Sequence, residues 1–125
     1  MIKRKRRSRN DRRQIRHIRI KKRLRGTLHA PRLCVFKSSR HIYAQIIDDS
    51  LGKTVVAASS LTPEVRKMVT NVKGKIEVAA MVGRYIGQLA VSKNIKKVCF
   101  DRAGYPFHGR IKSFAEAARE SGLSF

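Results

Sequence analysis

Four side chains that suit nucleic-acid binding lie close together between residues 102 and 110. They are Arg102, Tyr105, His108 and Arg110, and Gly109 lies between the last two. Arginine and histidine can contact phosphate, while the tyrosine ring can stack on a base. This segment therefore predicts a surface loop that contacts RNA.

The residues on either side predict the elements that position this loop. Residues 98–100 form a short apolar run typical of a buried strand. Gly104, Pro106 and Gly109 then interrupt regular structure, and helical spacing of apolar residues resumes at Ile111. Because open α/β sheets bind ligands at the carboxyl ends of their strands, this loop occupies a functional position.

The balance of charge indicates a polyanionic partner. The chain has 125 residues, enough for one domain with a core, and 30 Lys and Arg against 8 Asp and Glu give a formal net charge of +22. Residues 1–25 carry a balance of +13, which leaves +9 for residues 26–125. We therefore expect a basic RNA-binding arm over 1–25, a single globular domain over 26–125, and nucleic acid as the partner rather than a membrane or a small molecule.

The arm is predicted to be partly helical. Ser8 and Asp11 have the spacing of a capping box and Gly26 offers a stop, so residues 9–24 can form a helix. Its apolar face is thin, and we expect RNA to complete the helix by neutralising its arginines. The alternative is a basic helix that is simply solvated. The arm residues expected to contact RNA are Arg4, Arg6, Arg7, Arg9, Arg12, Arg13, Arg16, Arg19 and Arg23.

Three strand-like runs at short spacing predict an antiparallel meander between residues 32 and 59. In the second run, the period of two places His41, Tyr43 and Gln45 on one face, opposite apolar residues that face the core. Such a face beside a basic hairpin tip is typical of surfaces that bind looped RNA, although half-exposed residues of these types also occur in any sheet. The residues expected to contact RNA here are Arg32, Lys37, Ser38, Ser39, Arg40, His41, Tyr43 and Gln45.

The remainder of the chain predicts an α/β fold. A short helix and a long apolar helix follow the meander, and a crossover through them sets the last strand parallel to a neighbour. We expect a three-layer α/β/α domain whose mixed sheet of about four strands combines the meander with one parallel strand, preceded by the basic N-terminal helical arm. The predicted strands are 32–37, 41–48, 53–59 and 98–100, and the predicted helices after the arm are 63–69, 75–92 and 110–121.

The cysteines do not predict a metal or redox site. Cys34 and Cys99 lie in strand patterns without a cysteine or histidine at the spacing of metal ligands. We interpret both as reduced thiols of the core in a cytosolic protein. No cofactor is expected.

Two other functions share parts of this pattern. A metal-dependent nuclease could use Asp48 and Asp101 with Glu77 or His108. The simpler interpretation of Asp101 is an ion pair with Arg102 or a cap that orders the loop. A nonspecific nucleic-acid-compacting protein would share the basic arm, but it explains neither the second strand nor the loop.

Segments 32–45, 100–110 and 117–125 contain the sequences HIYAQ, DRAGYPFHGR and AARESGLSF, in this order. In them the chain resembles the family of bacterial ribosomal large-subunit protein number eighteen, over essentially its whole length. The resemblance implies a non-catalytic α/β/α protein of the cytoplasmic ribosome that binds 5S rRNA. It also implies attachment of this RNA to the 23S rRNA beside other 5S-binding proteins, with RNA contacts on the arm, the first hairpin and the loop before the last helix.

Three positions depart from the family pattern: Ala103 where glycine is usual, Pro106 where another residue is familiar, and Phe107 where tyrosine is common. Ala103 predicts that this position does not require a positive φ. Phe107 lacks a hydroxyl that could bind RNA, so core packing is favoured for it.

Overall fold

A computed structural model describes residues 8–23, 30–69 and 74–125, without the side chains of residues 21–23. All the predicted elements are found, with ends that differ by at most one residue; β2 begins after His41. The predicted helix stop at Gly26 lies outside the described residues. The elements are α1 (Arg9–Arg23), β1 (Arg32–Lys37), β2 (Ile42–Asp48), β3 (Lys53–Ser59), α2 (Pro63–Met68), α3 (Lys75–Ser92), β4 (Cys99–Asp101) and α4 (Arg110–Glu120).

The strands form one mixed sheet in the order β3–β2–β1–β4. β1 pairs antiparallel with β2, which pairs antiparallel with β3, and β4 lies parallel to β1 with Asp101 opposite Cys34. The predicted α/β class and mixed sheet are therefore confirmed. Because β1 and β4 run in the same direction, the loop after Asp101 emerges beside Lys37 at the end of β1.

Alternation along the strands builds the core on one face of the sheet. Leu33 and Val35 of β1 are fully buried, as are Ile86 of α3 and Phe114 of α4, and burial of each such side chain contributes roughly 1.5–3 kcal/mol. α3 lies so close to α4 that a Cβ at Gly83 would be 2.3 Å from the carbonyl oxygen of Phe114. Glycine is therefore required there for the two helices to pack.

α1 lies on the opposite side of the sheet. Cys34 alternates with Leu33 and Val35, so its side chain points away from α3 and α4. The imidazole of His17 in α1 lies within 4.8 Å of the Cys34 sulfur. α1 is thus the third layer, over β4 and β1, and no other described element covers β2 on this side. Among the residues described, no helix has both the length and the apolar character of a membrane span.

The predicted capping box begins α1. The N–H of Ser8 donates to Oδ2 of Asp11, and the N–H of Asp11 donates to Oγ of Ser8, each at 3.1 Å. Aspartate therefore replaces the usual glutamate, and the pair satisfies two backbone donors that the first turn leaves open.

Candidate nucleic-acid interface

Two consecutive residues with positive φ shape the loop between β4 and α4. Ala103 has φ 53° and Gly104 has φ 80°. A carboxylate oxygen of Asp101 accepts the N–H of Ala103 at 2.8 Å, which confirms the predicted loop cap. The expectation that position 103 does not require a positive φ is wrong, because Ala103 adopts one. This conformation costs an alanine roughly 1–2 kcal/mol, so contacts around the turn must hold it.

α1 binds the carbonyl groups of this turn. Arg13 donates from Nη1 to the Ala103 oxygen at 2.9 Å, and Arg16 donates from Nε to the Gly104 oxygen at 2.8 Å. A Cβ at Gly104 would lie 2.2 Å from the carbonyl oxygen of Arg13. The helix therefore has partners within the protein itself, and these contacts require glycine at position 104.

Asp101 is fully buried and is the centre of an ionic cluster. Its Oδ2 accepts from Nη1 of Arg32 at 2.8 Å and lies 3.2 Å from Nε2 of His17. Arg32 also binds Asp49 through two hydrogen bonds of 3.0 Å. Because a buried charge is tolerated only when it is paired, this cluster ties α1, β1 and β4 together.

The contacts within the cluster favour the charged forms of Asp101 and Arg32. Burial alone would raise the pKa of Asp101, but the N–H of Ala103, Arg32 and His17 hold it below its ordinary value of 3.8. The hydrogen bonds to Asp49 raise the pKa of Arg32 above its ordinary value, against the opposite effect of burial. Asp101 and Arg32 therefore form a buried ion pair at neutral pH.

This cluster corrects two expectations. The ion-pair partner of Asp101 is Arg32 and not Arg102, which donates to the carbonyl oxygen of Tyr105 instead. Arg32 was expected to contact RNA, yet it is 9% exposed and its guanidinium is bound by two carboxylates. Its side chain therefore stabilises the residues that form the interface and is not itself accessible to a ligand.

Tyr105 is also buried, with 7% of its surface exposed. Its hydroxyl donates to the carbonyl oxygen of Lys37 at 3.2 Å and accepts the N–H of Lys37 at 3.3 Å. Cζ of Arg13 lies 4.7 Å from the ring centroid, and Nζ of Lys37 lies 5.3 Å from it. The expectation that this ring is presented to a base is therefore corrected, because the ring positions two cations instead.

The tip of the β1–β2 hairpin is bound to the start of two helices. Arg110 at the start of α4 donates to the carbonyl oxygen of Ser38 at 2.9 Å, and Lys75 at the start of α3 donates to that of Ser39. The N–H of His41 donates to Oγ of Ser38 at 3.1 Å, which closes the turn. A cavity of about 120 Å³ beside the tip is lined by Arg40, His41, Ile42, Gly74, Lys75, Val78 and Arg110.

The open face of the sheet carries an aromatic pair. Tyr43 and Gln45 alternate with buried residues of β2, as predicted. Phe36 of β1 pairs with Tyr43 across the hairpin, with ring centroids 6.0 Å apart, and is 48% exposed. The sequence analysis did not predict that Phe36 belongs to this site. The available signal was its position directly after the inward-facing Val35, because side chains alternate along a strand. A cavity of about 440 Å³ on this face is lined by Cys34, Phe36, Ser38, Tyr43 and Gln45.

The arginines of α1 meet β1 and the loop along a groove of about 580 Å³, named here the α1–β1 groove. Its lining residues are Arg9, Asn10, Arg12, Arg13, Arg16, Phe36, Lys37, Tyr105 and Pro106.

Other residues predicted to contact RNA lie outside this groove. Arg19 and His108 are exposed, and Gly109 is the N-cap of α4. Phe107 is 42% exposed and meets the edge of the Phe100 ring, so its expected core packing is partial. Arg23 is described only as the last residue of α1, and outside the described residues lie Arg4, Arg6 and Arg7.

His17, Cys34 and Asp101 bring three possible metal-ligand atoms within 4.8 Å of one another. Spacing along the chain did not predict this group, because each member comes from a different element. Arg32 donates to the carboxylate of Asp101 and adds a positive charge, so we interpret the group as a hydrogen-bonded cluster. Within the described part of the chain, no such group contains the other ligands of the nuclease alternative, Asp48, Glu77 and His108.

The low pKa of Asp101 makes the free energy of unfolding depend on pH in the acidic range. The stabilisation that its ionised form provides is complete above the ordinary pKa of 3.8 and is lost as the pH falls through the lower value of the folded protein. We expect Asp101→Asn to lower the free energy of unfolding by about 3 kcal/mol at neutral pH, and this difference to shrink below about pH 4. Urea unfolding from pH 7 to pH 2.5 measures it. Glu116→Gln, at an exposed site, is the control, and parallel curves for wild type and Asp101→Asn would contradict the prediction.

Gly104→Ala should release α1 from the loop. The new Cβ would lie 2.2 Å from the carbonyl oxygen of Arg13, and overpacking of this kind costs roughly 1–3 kcal/mol. Trypsin should then cut after Arg12, Arg13 and Arg16 about 5 to 150 times faster, because cleavage follows the open fraction of the helix. Gly52→Ala is the matched control, since Gly52 also has a positive φ but a methyl group added there would meet no atom within 4 Å. Equal cleavage of the two variants would show that the close approach is unimportant.

A family model described as ribosomal L18 of archaea, bacteria, mitochondria and chloroplast matches residues 6–125. The large ribosomal subunit protein uL18 of Caldicellulosiruptor saccharolyticus is 57% identical over 118 residues, 94% of each chain. The protein of that name from Thermotoga neapolitana is 54% identical over 121 residues, 97% of this chain and 98% of its own. That of Dictyoglomus thermophilum is 52% identical over 119 residues, 95% and 97% of the two chains. The chain therefore belongs to the ribosomal L18 family and is a structural protein of the large ribosomal subunit.

Proposed function

We propose that the chain binds 5S rRNA and helps to attach it to the 23S rRNA, without catalysis and beside other 5S-binding proteins of the large subunit. The observation that carries this proposal is the convergence of three basic regions on one surface. Membership of the family supports 5S rRNA as the RNA that is bound, and the convergence supports binding through this surface.

The three regions are joined by hydrogen bonds. Arg13 and Arg16 connect α1 to the loop, and the hydroxyl of Tyr105 connects the loop to the end of β1. Arg110, which follows the loop, binds the carbonyl oxygen of Ser38 at the hairpin tip. Arm, loop and hairpin therefore act as one surface. The division into an arm over 1–25 and a body over 26–125 stays a prediction, because residues 24–29 lie outside the described part of the chain.

The accessible residues of this surface are suited to bind phosphate and unpaired bases. Exposed arginines of α1 supply long-range attraction and neutralise phosphates, whereas the rigid hairpin tip and sheet face supply contacts that depend on shape. Arg32 and Tyr105 hold these residues in place. The side chains proposed to contact RNA are Arg9, Arg12, Arg13, Arg16, Arg19, Lys37, Ser39, Arg40, His41, Tyr43, Gln45, Arg102, His108 and Arg110.

Binding to 5S rRNA should depend on salt and on the position of the charges. We expect a preference for 5S rRNA over transfer RNA at equal salt, and a loss of roughly 10³ to 10⁵ in affinity between 50 and 200 mM salt if six to ten phosphates are contacted. The double variant Arg9→Gln and Arg12→Gln should reduce the slope of log affinity against log salt by about 2. Fluorescence titrations with both RNAs at several salt concentrations measure these quantities.

The control changes the same number of charges elsewhere. Arg66→Gln and Arg84→Gln remove two exposed arginines from α2 and α3, which lie on the other side of the sheet. Equal losses in both double variants would indicate general attraction to the net charge. Equal affinity of the wild type for 5S rRNA and transfer RNA would contradict the proposed function and favour a nonspecific compacting protein.

A further inference from the structure

The α1–β1 groove combines dense positive charge with an exposed aromatic ring. Among the described residues that line it, Arg9, Arg12, Arg13, Arg16 and Lys37 are cationic and none is a carboxylate. Phe36 lines the same groove and is 48% exposed. A ligand that complements this lining carries negative charge next to a flat apolar group.

Two of these cations, Arg13 and Arg16, are held in place by the protein, and Arg16 still has donors to offer. Arg16 uses Nε to bind the carbonyl oxygen of Gly104, and its terminal nitrogens make no protein hydrogen bond to any residue that the structure describes. Arg13 is held over the Tyr105 ring, 4.7 Å from its centroid. Because the guanidinium groups are already positioned, little side-chain entropy is lost when an anion binds.

Lys37 adds a cation for which no ion pair is found among the residues that the structure describes. Burial lowers the pKa of Lys37, and the nearby positive charge of Arg110 lowers it further. Its ammonium group lies 5.3 Å from the centroid of the Tyr105 ring, on the wall of the groove. A bound phosphate would offset the repulsion between these cations, so an anion is favoured here more than at an exposed lysine.

Phe36 connects the groove to the open face of the sheet. The ring lines both the α1–β1 groove and the cavity of about 440 Å³ on the sheet. Tyr43 lies beside it with a ring centroid 6.0 Å away, and Gln45 is exposed next along β2. A base stacked on Phe36 therefore has free space over the sheet, and an amide within the same cavity that can bind its edge.

We propose that the α1–β1 groove holds the phosphate of one unpaired nucleotide of the 5S rRNA while Phe36 stacks on its base. This inference rests on the proposed function, since it names a contact within the same interface. A paired nucleotide does not fit, because bases in an A-form helix stay stacked on their neighbours and their deep groove excludes side chains. An acidic protein segment would neutralise the cations, but it would leave the exposed ring without a planar partner.

Substitutions at Phe36 test the stacking contact. We expect Phe36→Ala to weaken binding to bacterial 5S rRNA by about 5- to 150-fold, the range for loss of one base stacked on an aromatic ring. Phe36→Trp should retain most of the affinity because it keeps an aromatic plane. Leu51→Ala is the control, since Leu51 is 71% exposed in the turn between β2 and β3. Thermal melting by circular dichroism verifies that each variant is folded.

A photoreactive benzophenone at position 36 locates the nucleotide. Crosslinking to 5S rRNA and mapping by primer extension should give one main stop at an unpaired position. An affinity for Phe36→Ala within twofold of the wild type, or a stop within a duplex, would overturn the inference while leaving 5S binding intact. A polyglutamate peptide that binds the wild type and loses affinity with Phe36→Ala would also overturn it, by assigning the groove to an acidic protein. If the wild type shows no preference for 5S rRNA, this inference fails together with the proposed function.

Discussion

The rest of the interface depends on the contacts that the buried carboxylate of Asp101 makes. Through Arg32 it binds β1, through His17 it meets α1, and through the N–H of Ala103 it forms the turn that follows β4. Burial of an unpaired carboxylate would be strongly unfavourable. Asp101 can therefore be buried only where these partners are in place. A single charge in the interior therefore specifies where α1 lies and what shape the loop takes.

The consequence for function is a preformed surface. The turn at Ala103 and Gly104 presents two carbonyl groups, and Arg13 and Arg16 bind them, so the N-terminal helix is attached by contacts inside the protein. An isolated helix of 15 residues is only marginally stable in water, and attachment to the loop supplies the additional stabilisation. A highly charged helix held in this way loses less entropy on binding RNA than a free arm would, while its exposed arginines remain available for phosphates.

Local signals in the sequence predicted the elements, whereas contacts between distant residues could not be predicted. The reciprocal cap of Ser8 and Asp11 and the alternation along β2 follow from spacing, because their partners are neighbours along the chain or on one strand. The bond between Arg32 and Asp101 joins residues 69 positions apart, and no spacing rule reveals it. Residue type alone also gave a wrong prediction for two side chains. Arginine and tyrosine suit RNA contact, but Arg32 and Tyr105 use the same donors and ring to hold the interface together.

Amide hydrogen exchange on the full chain without RNA tests most directly whether this surface is formed in advance. If the Asp101 cluster and the loop carbonyls hold α1, amides in its middle turns, near residues 13–20, should exchange at least about tenfold more slowly than in an unstructured peptide, which corresponds to about 1.4 kcal/mol of attachment. Exchange at the rate of an unstructured chain, with the sheet still protected, would show that the arm is free until RNA binds and would contradict this account.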